Sequence, residues 1–264
     1  MYMYPQSNSA RSVRDLSGVW DFRFNANEPW QPIAVPASYN DQSPDPEFRR
    51  HYGMAYYRTT FTVPEGARRV LRFDAVTHNA VVRLNGQEIA SHRGGFLPFE
   101  ADITALAQPG ETVTLDVEVD NRIGHSSLPV GNEGGTAFFG SDNAGIPAVE
   151  AGKARQQAQG INLPNFDFLN YAGITRPVHP CTNPAAYIRD VTVAADMTGT
   201  LRYTVDTVGE GSVKVEILDA EDRIVACADG AAGTVQVENA RLWQPRPGTP
   251  YLYTALVRFG KDEY

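Results

Sequence analysis

The chain has 264 residues, 42% hydrophobic and 20% charged, enough apolar material for one large domain or two ordinary ones. Its formal net charge of −8 and pI near 5.1 exclude the basic footprint that nucleic acid or an anionic membrane would require. No window approaches the roughly 18 apolar residues of a membrane span, and the N-terminal stretch MYMYPQSNSARSVRDLSG lacks the apolar core of a secretory signal. The two cysteines, Cys181 and Cys227, are far apart and match no metal or redox spacing. The expectation is a cytoplasmic chain with free thiols, no cofactor, and neither a nucleic-acid nor a membrane partner.

Period-two alternation dominates from the start. Strands are predicted over 18–25 (GVWDFRFN), 56–63, 68–75 and 80–85, the last followed by Asn85-Gly86 and QEIAS. Asn-Gly suits the positive φ angles of a type I′ turn, so a hairpin is expected there. In TVTLDVEV (112–119) the four residues Val113, Leu115, Val117 and Val119 share one face, the pattern of a half-buried antiparallel strand. From Ile123 to Asn165 the pattern breaks into Gly, Ala, Ser and Asn, with only EAGKARQQAQ (150–159) helix-permissive. A loop of that length inside a compact domain is usually functional or disordered.

A second series of short strands begins near residue 186, joined by turn signals such as VGEG (208–211) and DAED (219–222). Their regular spacing predicts an immunoglobulin-like sandwich over 183–264, after a larger β-sandwich over 1–182. The boundary is placed at a turn near Cys181, bracketed by Pro180 and Pro184.

Several stretches invite a chemical reading and lose it on inspection. Asn27-Glu28-Pro29 resembles the acid/base signature of retaining glycosidases, but such a glutamate needs a second carboxylate about 5 Å away on a rigid frame. Here it follows a strand directly and precedes Gln31-Pro32, so a turn glutamate is expected. Gly124-His125-Ser126-Ser127-Leu128 lacks the final glycine of a nucleophile elbow, and GEGSVK (209–214) reads as a hairpin turn rather than a dinucleotide fingerprint. The five histidines show no zinc-binding spacing, and His78 reads as a hydrogen-bonded structural histidine. Trp20 alternates with Phe22 and Phe24 and belongs to a core face, Trp243 is expected to pack the end of the second sandwich, and Trp30 is undecided. In NFDFLNYAGITR (165–176), Asp167 lies between Phe166 and Phe168, near Asn170, Tyr171 and Arg176. A carboxylate among aromatics is costly unless it is hydrogen-bonded or placed to receive a ligand; residue chemistry leaves both readings open.

The runs IAVPASYNDQ (33–42), YYRTTFTVP (56–64), LRFDAVTHNAVVRLNGQEI (71–89), GGFLPFEADIT (94–104), FDFLNYAGITRPV (166–178) and LWQP with YLY (242–253) together resemble the N-terminal part of glycoside hydrolase family two, and within it the β-glucuronidases. The resemblance runs from about Leu16 to the end of the chain. It implies an all-β fold, with a jelly-roll sugar-binding domain followed by an immunoglobulin-like domain that stops before its final strand. It also implies that the catalytic (β/α)₈ barrel, with both catalytic glutamates, lies beyond Tyr264. This chain alone would then hold no catalytic residue, and the intact homo-oligomeric enzyme would cleave β-D-glucuronosides with retention. In that family an aspartate in the [aromatic]-D-F-x-NYAG motif accepts hydrogen bonds from glucuronide hydroxyls, which assigns substrate binding to Asp167. Some members carry histidine before that aspartate, whereas this chain has Phe166. Two rival readings are a free-standing carbohydrate-binding protein, which would bind sugar without a barrel, and a non-catalytic interaction module.

Overall fold

The computed structural model describes residues 3–131, 160, 162 and 168–264. Two compact units emerge: a larger one from 14–63 and the described part of 70–180, and a smaller one from 3–13, 64–69 and 181–264. No helix among the described residues is long and apolar enough to cross a membrane.

Chain order runs β1 (Ser12–Val13), β2 (Gly18–Arg23), β3 (Gln31–Val35), helix α1 (Pro46–Arg50) and β4 (Met54–Thr62). Next come β5 (Arg68–Phe73), β6 (Val76–Thr77), β7 (Asn79–Leu84), β8 (Gln87–Arg93), β9 (Phe99–Asp102) and β10 (Thr112–Asp120). Further along the chain follow β11 (Gly173–Ile174) and β12 (Val178–Asn183).

In the larger unit a six-stranded sheet of order β3-β2-β4-β10-β7-β8 forms one layer, and β12, β5 and β9 belong to the other. Inward residues of the alternating strands fill the space between: Trp20 and Phe22 from β2, Tyr57 from β4, Leu71 and Phe73 from β5, and Leu115 and Val117 from β10. This is a jelly-roll sandwich in which the pattern of the sequence decides which face is buried. Trp20, 2% exposed, donates its indole N–H to the Leu16 carbonyl at 2.8 Å, as a core tryptophan should. The expected hairpin is present: Asn85 and Gly86 both have positive φ, and the Asn85 side chain accepts from the Thr114 N–H at 2.9 Å.

Two of the strands that escaped the pattern contain prolines. β3 contains Pro32 and sits at a sheet edge, where a missing N–H is tolerated. Its free side is covered by a side chain: the Gln42 amide accepts from Ala34 N–H at 2.7 Å and donates to Ala34 C=O at 3.1 Å, imitating a neighbouring strand. Gln42→Ala is therefore expected to cost about 1 kcal/mol and to raise the sedimentation coefficient with concentration. Unchanged values for both would dismiss the capping role.

The turn expected around Cys181 is instead strand β12, which passes straight through Pro180. The Arg14 N–H bonds to Pro180 C=O at 3.0 Å, but proline cannot return the bond to Arg14. The His179 ring nitrogen Nδ1, 3.2 Å from the Arg14 carbonyl, takes that place.

The smaller unit adds β13 (Tyr187–Ala195), β14 (Thr200–Val208), β15 (Val213–Leu218), β16 (Ile224–Asp229), β17 (Ala232–Gln236), β18 (Thr254–Phe259) and β19 (Asp262–Glu263). Its sheets have the orders β13-β14-β17 and β16-β15-β18-β19, enclosing Ile188, Tyr203, Val215, Ile217, Val257 and Phe259. This is the immunoglobulin-like sandwich expected. Tyr264 and Val257 exchange both backbone hydrogen bonds, extending β19, while no described strand pairs with Thr254–Leu256 on that side. Trp243 does not close the end of this sandwich: it is 56% exposed beside Tyr251 and Leu252 on an open apolar groove.

Candidate functional site

Residues 168–173 are the described part of the FDFLNYAG run and lead into β11, which pairs with β6. Asp167 and Phe166 lie outside the described residues, and the site consists here of the described residues of the motif and their partners. Ala172 is held by Asn40, whose Oδ1 accepts the Ala172 N–H at 2.9 Å while its Nδ2 donates to the Phe48 carbonyl at 2.8 Å. Asn40 is 1% exposed, and both ends of its amide are used. Ser38 Oγ donates to the Ala172 carbonyl at 3.2 Å. These bonds tie the motif to the loop between β3 and β4.

The second anchor is Asn121, one residue beyond β10. Its Oδ1 accepts from Gly53 N–H at 2.9 Å and its Nδ2 donates to His51 C=O at 2.6 Å. The Asn121 carbonyl accepts from Asn162 Nδ2 and from Asn170 Nδ2, each at 3.1 Å. Asn170 Oδ1 lies 2.6 Å from Nε2 of His78. Because the Asn170 amide nitrogen is already donating to Asn121, its oxygen must face the histidine, which places the proton on Nε2 of His78.

His78 is 2% exposed, and burial holds its pKa below the usual histidine range, against the raising effect of the Asn170 hydrogen bond. His51, stacked on Phe24 with centroids 4.0 Å apart, is lowered for the same reason, burial outweighing its bond to the Met54 carbonyl. Both imidazoles therefore accept protons less readily in the folded chain than in the unfolded one. Stability is thus fully present above the unfolded pKa of about 6.5 and falls as pH drops below it. The urea midpoint is expected to decrease between pH 7.5 and pH 5, and less steeply in His78→Gln; equal slopes would rule out His78 as a contributor.

Around this polar frame the surface is apolar. Phe96 is 47% exposed, Leu97 67%, Phe168 55% and Tyr171 46%. The Phe96 ring meets His78 edge-on with centroids 6.3 Å apart, and the Thr77 hydroxyl bonds to the Gly95 carbonyl at 3.0 Å, which holds that loop beside the motif. Arg176 is exposed.

The other sequence candidates are not part of this constellation. Glu28 lies in a turn, where its carboxylate accepts from the Asn25 side chain and backbone; that side-chain bond above all lowers its pKa. Trp30 is covered by cations, with the Arg23 and Arg58 guanidinium carbons 4.1 and 4.8 Å from its ring centroid. A ring so occupied presents no open platform to a sugar. Ser127 Oγ closes its own turn, accepting from Gly124 N–H at 2.8 Å and donating to Gly124 C=O at 2.9 Å. His78 is the structural histidine the sequence predicts. Asn40, Asn121 and Asn162 carry the frame yet gave no signal, since an asparagine in a loop is ordinary and its distant partners are set by the fold.

Residues 13–184 match the sugar binding domain of glycosyl hydrolases family 2, and residues 186–264 match a further glycosyl hydrolases family 2 domain. Among curated relatives, the β-glucuronidase of Paenibacillus borealis is 36% identical and that of Homo sapiens 32%, each over 97% of this chain. The matches cover 44% and 43% of those relatives, so the chain spans less than half their length. Among solved structures, a Faecalibacterium prausnitzii β-glucuronidase superposes with a TM-score of 0.88 at 53% identity, covering 99% of this chain and 46% of that one. A Bifidobacterium dentium β-glucuronidase complexed with coumarin-3-O-glucuronide gives a TM-score of 0.85 at 43% identity over 100% of this chain and 48% of its own. A jelly roll followed by an immunoglobulin-like sandwich, each matched along its length, shows that this chain belongs to glycosyl hydrolases family 2.

Proposed function

We propose that this chain is the N-terminal, non-catalytic portion of a β-glucuronidase, and that the complete protein hydrolyses β-D-glucuronosides with retention through a covalent glycosyl intermediate. The observation carrying this reading is the 53% identity to a β-glucuronidase over 99% of the chain, with less than half of that protein matched. Retention requires two carboxyl groups facing each other about 5 Å apart, and these would come from a barrel that follows the two sandwiches. Within this chain, Asp167 would accept hydrogen bonds from hydroxyls of the bound glucuronide, supported by its place in the FDFLNYAG run. The free cysteines accord with a reducing cytoplasm, and assembly into a homo-oligomer is part of the same reading.

The test is hydrolysis of 4-nitrophenyl β-D-glucuronide. The complete protein is expected to release nitrophenol and the 264-residue chain none; activity in the chain alone, or none in the complete protein, would overturn the reading. In the complete protein, Asp167→Ala is expected to lower kcat/KM about 10- to 100-fold, the loss of hydrogen bonds made by a charged acceptor. A change below twofold would remove Asp167 from the pocket.

A further inference from the structure

The outer face of the six-stranded sheet carries a polar depression whose shape follows from strand register. Residues directly opposite one another share a face. Met54, Asp120, Asn79 and Arg93 therefore form one row across β4, β10, β7 and β8, and Tyr56, Glu118, Val81 and Ser91 form the next. Their neighbours Ala80, Val82, Val117 and Val119 are buried in the core, which puts both rows on the outside. Val81 and Ser91 are short while Arg93 and Glu118 are long, so the face is hollow between them. The cavity measures about 460 Å³, a size that suits one small ligand.

A third row neutralises itself: Arg58 meets Asp116 at 2.6 Å, and Arg83 meets Glu88 at 3.2 Å. In the cavity, Asp120 is fully used, because Arg122 reaches both of its oxygens at 2.6 to 3.1 Å. Glu118 commits only Oε1, to Arg83 Nε at 3.0 Å; its Oε2 accepts no bond among the described residues. The Arg93 guanidinium and the Asn79 and Ser91 side chains likewise bond to no other described group. Arg93 is the one guanidinium lining the cavity, and it has no counter-ion among the described residues.

A free guanidinium pairs with a carboxylate through two parallel hydrogen bonds. An amide, a hydroxyl and a carboxylate oxygen steadied by a salt bridge offer donors and acceptors to neighbouring hydroxyl groups. Arg93 and Glu118 stand two strands apart, about 10 Å, a span that one sugar ring with its substituents bridges. Met54 and Val81 supply apolar surface for the C–H face of such a ring. A phosphate would find a single cation and face Glu118; a neutral sugar would leave Arg93 unmatched. We propose that the cavity binds a hexuronate, with its carboxylate on Arg93 and its hydroxyls on Asn79, Ser91 and Glu118. The 168–174 run takes no part in it, and the inference does not require the hydrolase reading.

The test is a titration of the 264-residue chain, which holds the whole core of the larger sandwich, with sodium D-glucuronate. Backbone amide shifts are expected to saturate at residues 79–81, 91–93 and 118–120. Arg93→Ala removes an exposed side chain and should weaken binding about tenfold or more, the loss of a charge-assisted pair. Asn79→Ala should weaken it about threefold. D-glucose lacks the carboxylate and sodium acetate lacks the ring, so each should bind about tenfold more weakly or worse. Free hexuronate and intact glucuronide offer the same chemistry. Tighter binding of 4-nitrophenyl β-D-glucuronide than of glucuronate assigns the site to the glucuronide, the reverse order to the free acid, and the proposal stands in both cases. It is overturned if no shifts saturate, if they map elsewhere, or if glucose or acetate binds as well as glucuronate. It is equally overturned if neither Arg93→Ala nor Asn79→Ala weakens binding. Release of nitrophenol by the complete protein does not depend on these results, so the two readings fail separately.

Discussion

Asp262→Ala is expected to destabilise the smaller unit by about 3–5 kcal/mol, the cost of stranding one partner of a buried ion pair. The pair joins residues 251 positions apart: Arg11 Nε and a terminal guanidinium nitrogen each reach an Asp262 carboxylate oxygen at 2.6 Å. The same guanidinium nitrogen also lies 2.6 Å from the Ile188 carbonyl, and Asp262 accepts the Ile188 N–H at 2.7 Å. Side-chain exposure is 8% for Arg11 and 0% for Asp262, so neither charge recovers full hydration if the other is removed. Asn8 reinforces the clasp by donating to the Glu263 carbonyl at 2.8 Å, and the Arg11 guanidinium sits over the Tyr264 ring at 5.8 Å. Residues 3–13 are thus tied to the smaller unit by side-chain hydrogen bonds and a buried ion pair.

The size of that loss is not the net worth of the pair. Two charges taken from water lose hydration that their mutual attraction only partly returns, so replacing both by apolar side chains costs less than stranding one of them. Arg11→Met combined with Asp262→Leu should therefore recover part of what Asp262→Ala loses, the remainder being the Ile188 N–H and carbonyl left without their side-chain partners. Arg189→Ala breaks the exposed pair with Asp206, at 61% and 43% exposure, and should cost under about 1 kcal/mol. Urea unfolding of the three variants, followed through the smaller unit's transition, separates these cases. An Asp262→Ala midpoint close to that of Arg189→Ala would mean that the buried pair is no more consequential than a surface one.

That clasp shows what the sequence could not display. Alternation along 112–119 or 200–207 states which face of a strand is buried, because the period of two is written into adjacent residues. Asn85-Gly86 states its turn because few residues accept two successive positive φ angles. Arg11 and Asp262 are each unremarkable locally, and only the folded chain brings them together. β12 was concealed by Pro180, whose missing N–H reads as a break until His179 is seen to supply the bond. At the candidate site the motif around Asp167 was legible through resemblance to a family. The frame of Asn40, Asn121, Asn162 and His78 was not, since it consists of side chains from separate loops meeting backbone groups far away in sequence.

The glycine of the NYAG run is the second position where a single substitution should act strongly. Gly173→Ala is expected to cost about 2–6 kcal/mol, from two sources that add at one site. Its φ of +122° is a conformation that L-residues rarely adopt, worth about 1–3 kcal/mol when forced. A Cβ there would also stand 2.6 Å from the Tyr57 hydroxyl and 3.3 Å from both the Ala37 carbonyl and a Tyr39 ring carbon. Tyr57 and Tyr39 are both 0% exposed, packed against Phe22 in the core, and have little room to retreat. Overpacking of that kind adds about 1–3 kcal/mol. Gly86→Ala provides the comparison: its φ of +83° is also unfavourable, but nothing lies within 4 Å of the added carbon, so only backbone strain of about 1–2 kcal/mol is expected. The steric share can be isolated, because Tyr57→Phe removes the atom nearest the new methyl. Gly173→Ala in a Tyr57→Phe background should lose less than in the unaltered chain. If the loss is the same in both backgrounds, the clash is not with that hydroxyl. If Gly173→Ala costs no more than Gly86→Ala, close packing of the NYAG backbone on Tyr57 is refuted.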